Sequence, residues 1–125
     1  MKNLSLKPFV QEYLTAISGK EKTPAVIDKF VADPGLREHI LMYESGFPRY
    51  EMIPEDMIEE DNKVAVRLVV KATHKNTFMD IPPTGKRISL PLMIIYEIKN
   101  GKIVNNWMSY DRMAFMEQLG VMQPA

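Results

Sequence analysis

Apolar residues recur at helical spacing along the first half of the chain and at every second position along the second half. Leu6, Phe9, Val10, Tyr13, Leu14 and Ile17 follow an i, i+3, i+4, i+7 rhythm, with Ser5 placed to cap it, Pro8 in its first turn and Gly19 to stop it. Thr23-Pro24 reads as the N-cap and first residue of a second helix with Val26, Ile27, Phe30 and Val31 on its apolar face. Asp33-Pro34 repeats that signal for a third helix carrying Leu36, Ile40 and Tyr43, which should end near Gly46 because Pro48 follows.

The period then changes to two. In residues 64–74, Val64, Val66, Leu68, Val70, Ala72 and His74 share one face, and Arg67, Lys71 and Thr73 the other. In residues 88–98 every even position is apolar, and Lys99-Asn100-Gly101-Lys102 holds the Asn-Gly pair of tight hairpins. Residues 103–111 form the next strand, with Ile103, Trp107 and Asp111 in one parity, and residues 112–119 a short helix ending at Gly120. Glu60-Asp61-Asn62-Lys63 is the expected turn between residues 51–60 and 64–74. Helices followed by an antiparallel meander predict one α+β domain over residues 1–125, with helices on one face of a bent sheet. Parity turns His74 inward. If Trp107 is core, Asp111 turns inward too. A bulge in either strand would undo the inference by flipping every side chain beyond it.

Composition removes several function classes. With 16 basic and 16 acidic residues, a formal net charge of zero and no long run of one sign, the chain lacks an electrostatic grip on nucleic acid or an anionic membrane. It has no cysteine, which excludes thiolate chemistry and cysteine metal sites. Two histidines without His-Glu-x-x-His spacing predict no metal centre. Pro83-Thr84-Gly85-Lys86 lacks the leading glycine and the trailing hydroxyl residue of a phosphate loop, and no Gly-x-Ser-x-Gly elbow is present. The run Leu90 to Tyr96 is too short to span a bilayer. Met1-Lys2-Asn3-Leu4 passes into an amphipathic pattern without a signal peptide, so a cytoplasmic location is expected. Met93 and Ile95, on the outward parity, suggest an apolar strip for a homodimer.

The remaining chemistry is an imidazole and a carboxylate, His74 and Asp111, each at a strand end; facing one pocket, they suffice for proton transfer without a cofactor. Asp111 has a second reading as N-cap of the last helix, a role contributing about 0.5–2 kcal/mol. His74 likewise reads as a satisfied strand-end histidine, and His39 as a partly buried helical one. Trp107 reads as core or pocket wall, and Tyr13 and Tyr43 as helix packing whose hydroxyls could line a pocket.

Taken together, Ala72-Thr73-His74, the loop to Phe78, Ile81-Pro82-Pro83-Thr84-Gly85-Lys86, Gly101-Lys102-Ile103, Trp107, Asp111 and Gln118-Leu119-Gly120 resemble the SnoaL-like polyketide cyclases of the nuclear transport factor 2-like superfamily, over roughly residues 46–120. The resemblance implies a cone: a strongly curved antiparallel sheet wrapped around N-terminal helices, with an apolar pocket at its open end. It implies Asp111 as general acid/base, assisted by His74, in an intramolecular aldol condensation or an isomerisation that uses no metal and no organic cofactor. Trp107, Tyr13, Tyr43, Phe47 and Phe78 are then the candidates for contact with a small apolar carbonyl substrate. Asn76 and Asp80 stand where relatives usually carry glycine, and Phe47-Pro48-Arg49 where they often read Phe-Pro-Asp. The same superfamily implies an alternative, a non-catalytic module that binds a small ligand or a partner.

Overall fold

The computed structural model describes residues 5–121. Three helices, α1 (Lys7–Ile17), α2 (Pro24–Phe30) and α3 (Pro34–Gly46), precede four strands, β1 (Glu51–Glu60), β2 (Lys63–Thr73), β3 (Arg87–Lys99) and β4 (Lys102–Tyr110), and α4 (Arg112–Leu119) follows. The strands pair antiparallel in the order β1-β2-β3-β4 as an open, curved sheet. None of the helices among the described residues is long and apolar enough to cross a membrane.

The helix starts follow local chemistry. Thr23 accepts from the Val26 amide at 3.3 Å and Asp33 from the Gly35 amide at 3.2 Å, each before a proline that has no amide proton to satisfy. α1 departs from expectation. Its N-cap is Leu6, without a side-chain cap, and Ser5 donates instead to Glu59 at 2.8 Å. Glu59, on β1, accepts from the Leu6 amide at 2.9 Å and so places a carboxylate at the helix start from across the fold. That amide bond, with the Ser5 hydroxyl, holds its carboxyl below the usual carboxylate range.

The even face of β2 (Val64, Val66 and Leu68, all fully buried) joins Val10, Leu14 and Ile17 of α1 in one buried core. Burial of such side chains contributes roughly 1.5–3 kcal/mol each. Asn100 and Gly101, at φ 52° and 74°, make the β3–β4 hairpin with both central residues left-handed.

Two bulges curve the sheet, one between Pro54 and Asp56 and one opposite Glu97/Ile98. In the second, Ile98 pairs with Ile103 but Glu97 pairs with Asn105, so Val104 is the extra residue. The cause is a conflict of parity. Ile103 must face the core, where its carbonyl also accepts from the Ala32 amide at 2.8 Å. Further along β4, even-numbered Met108 and Tyr110 face inward. Val104 reconciles the two ends. It also turns Trp107 outward, 48 % exposed beside Ile95, which corrects its expected place in the core or the pocket wall.

Candidate functional site

A pocket opens between α3, the sheet and α4. Tyr43 and Phe47 form its helical side, Leu90, Leu92, Met108 and Tyr110 belong to its sheet side, and Phe115 of α4 closes one end. Tyr50 and Met52, where the chain enters β1, complete the wall. The centres of water-sized spheres can occupy about 70 Å³ inside it, within about 550 Å³ of unfilled space that includes the mouth. Apolar surface dominates the lining. Its polar tips are the tyrosine hydroxyls, and those of Tyr43 and Tyr110 share a hydrogen bond of 3.2 Å. Burial raises the Tyr43 phenol well above the ordinary tyrosine range, the Tyr110 hydrogen bond adds to this, and the Arg112 charge opposes it.

The two expected catalytic groups do not share this wall. Asp111 is exposed and caps α4, its Oδ1 accepting from the Ala114 amide at 3.0 Å. The inward turn expected from parity with Trp107 is therefore corrected by the same bulge. Asp111 still follows Tyr110 directly, so it stands one residue beyond the lining. His74 does turn inward and is fully buried, but its ring lies behind Phe47, stacked at 5.1 Å and 24°. The Thr84 amide donates to Nδ1 at 3.2 Å, which makes Nδ1 the acceptor and leaves the proton on Nε2. Nε2 is buried without a partner among the described residues.

His74 thereby organises the β2–β3 loop. Its amide donates to the Lys86 carbonyl at 2.9 Å, and the Gly85 amide donates to its carbonyl at 2.9 Å. Within this loop Met79 and Asp80 are left-handed, at φ 47° and 67°, as Asp80 in a usual glycine position suggests. Asn76 is not. It instead closes the C-terminus of α3, donating from its side chain to the Ser45 carbonyl at 2.9 Å and from its amide to the Gly46 carbonyl at 3.2 Å. Phe78 is buried and packs edge-on to Phe47 and Phe115 from behind the wall. Tyr13 is buried deeper, edge-on to Tyr96, beside a second, smaller pocket. His39, partly buried as expected, lies beside that pocket too, and burial lowers its imidazole below the ordinary range.

Of the expected contact residues, the structure thus brings Tyr43 and Phe47 to the pocket. Sequence reading missed Tyr50, Met52 and Tyr110. The even positions Met108 and Tyr110 at the end of β4 carried the signal for Tyr110, but Trp107 outweighed them.

An open, curved antiparallel sheet with helices covering one face is the nuclear transport factor 2-like architecture. The family model of the SnoaL-like polyketide cyclases matches residues 19–119, and the chain belongs to that family. Among solved structures it is similar to AclR of Streptomyces galilaeus, a proposed hydroxylase, with 22 % identity, 95 % of this chain and 83 % of that one covered, and a TM-score of 0.79. It is similar as well to TsrD from Streptomyces laurentii (21 % identity, 96 % and 100 % covered, TM-score 0.76). A SnoaL-like polyketide cyclase from Agrobacterium tumefaciens matches at 23 % identity, with 94 % and 100 % covered and a TM-score of 0.73. No curated protein matches the sequence significantly. At these identities the structural matches speak for the fold alone.

Proposed function

We propose that the protein binds a small, largely apolar carbonyl compound in this pocket and acts on it by proton transfer without a cofactor, closing a ring by intramolecular aldol condensation or shifting a double bond. The observation that carries this reading is the open apolar pocket, with a carboxylate, Asp111, one residue beyond its lining tyrosine. Only Oδ1 of Asp111 is engaged in the cap among the described residues, so Oδ2 remains for chemistry. The carboxylate takes a proton from a carbon next to a carbonyl and leaves an enolate. The enolate carbon forms a bond to a second carbonyl carbon of the same molecule, whose oxygen then takes the proton back. The walls contribute by holding a folded ligand so that the two carbons meet, which can lower a barrier by several kcal/mol. His74 serves this reading as a positioning residue: it holds Phe47 in the wall and ties down the β2–β3 loop.

A second reading, binding without turnover, is favoured by one observation. The lining contains no carboxylate or imidazole, and Asp111 is exposed and already caps a helix. Asp111→Asn separates the two, because asparagine caps about as well as aspartate and cannot act as a base. The expected result is an unchanged melting temperature, unchanged ligand affinity and lost turnover on a β-keto ester panel. Turnover that survives in the variant would remove Asp111 from the mechanism. Wild-type protein that binds the panel and turns none of it over would leave the carrier reading.

The partner we propose is a second copy docked on the outer sheet face. Ile58, Ala65, Ile95 and Trp107 stand side by side across all four strands as one apolar row. Next to it Arg67 is paired with Glu55 at 2.6 Å and Lys63 lies over the Trp107 ring at 5.7 Å, so an apolar row with a partnered charge beside it is offered to a copy of itself.

A further inference from the structure

We propose that the Tyr43–Tyr110 pair is the point at which the pocket recognises a ligand oxygen: a carbonyl or enol oxygen on an otherwise apolar, ring-sized molecule accepts a hydrogen bond from these phenols. The inference rests on the pocket reading above and adds the atoms that hold the ligand's polar end.

Two phenols carry two O–H donors, and the bond between them uses one. Among the described residues neither hydroxyl has another partner, so one donor is unspent at a half-buried point of an apolar lining. Their mutual contact of 3.2 Å is longer than the usual 2.7–2.8 Å of a hydroxyl pair, so an incoming oxygen displaces a weak bond and not a strong one. Burial raises the Tyr43 phenol well above the ordinary tyrosine range, so its O–H stays available as a donor. The unspent O–H suits a ligand oxygen that accepts. A molecule of the same shape without oxygen leaves that donor unsatisfied, which is how a polar point in an apolar pocket discriminates. Should the ligand form an enolate, the same hydrogen bond strengthens as charge gathers on the oxygen. The anchoring of the developing charge then falls to a phenol pair contributed by α3 and β4, with His74 behind the wall. Arg112, whose charge acts on Tyr43 from the first residue of α4, favours negative charge gathering there.

The test compares indanone with indane, two probes of one shape that differ by the carbonyl, in calorimetric titrations of wild-type protein and of Tyr43→Phe, Tyr110→Phe and the double variant. Wild type should bind indanone about tenfold tighter than indane. Each single variant should keep part of that preference, because one phenol remains, and the double variant should bind both probes equally with indane affinity retained. Equal binding of both probes by wild type, or a preference that survives in the double variant, overturns the proposal and leaves the pocket reading standing. Wild type that binds neither probe overturns both. If the double variant does not fold, the wild-type comparison and the single variants decide.

Discussion

Lys22 takes an ammonium group out of water, and three chain segments converge to hold it there. Its Nζ donates to the Tyr50 carbonyl at 2.8 Å and the Lys20 carbonyl at 2.9 Å, pairs with Glu44 at 3.3 Å and lies over the Tyr50 ring at 3.9 Å. Burial lowers its ordinary value, and Glu44 opposes that. Lys22→Met leaves two carbonyls without their donor and Glu44 without its cation, and should cost about 3 kcal/mol in denaturant titrations. Because Tyr50 also lines the pocket, the variant should weaken ligand binding as well as stability. Neither the burial of this lysine nor its partners was legible in the chain, since Lys22 follows Lys20-Glu21 in a stretch that reads as a polar turn. Asp111 shows the reverse. Its position between a strand and a helix already contained the cap, and the cap is what the structure shows.

At the scale of elements, the chain announced its folding plan well because period and punctuation agree. The Pro, Gly and Asn-Gly signals set the helix starts and hairpins, and the alternation in β2 and β3 has one answer. β4 was misread because its two ends obey opposite parities, and only pairing with β3 shows where the extra residue goes. That single residue decided which aromatic side chain meets the pocket. The outward row it completes belongs to the sheet as an element. Four strands about 4.8 Å apart and about ten residues long offer roughly 600 Å², approaching the ~800 Å² per partner of a stable interface. Ile95 sits mid-row between Ala65 and Trp107. Ile95→Lys should convert a sedimenting dimer to monomer with its melting curve otherwise two-state, and a wild type that stays monomeric at every concentration would remove the second copy from the account.

For the molecule as a whole, three tyrosines, Tyr13, Tyr50 and Tyr96, lie in the core, and Tyr43 is half-buried against it. Burial raises Tyr13, Tyr43, Tyr50 and Tyr96 above the ordinary value of 10.0. For a group whose folded value is raised, the folded state holds the proton more tightly than the unfolded chain, so its stabilising share is intact below the unfolded value and lost as pH climbs through the folded one. Lys22, shifted down, pulls the other way, one group against four. Stability should therefore hold to about pH 9 and fall steeply beyond about pH 10, with phenol ionisation and loss of structure coinciding in a spectrophotometric alkaline titration. Ionisation of these phenols without unfolding would show the interior to be wetter than its packing indicates.

The position of Trp107 has one more consequence. It is the chain's single tryptophan, and the bulge at Val104 sets it on the outer skin of the sheet, on the side away from the pocket. Its fluorescence should thus be blind to whatever enters the pocket and alert to whatever covers the sheet. An emission colour that shifts with protein concentration, and stays put on adding ligand, would make this one indole a built-in gauge of assembly.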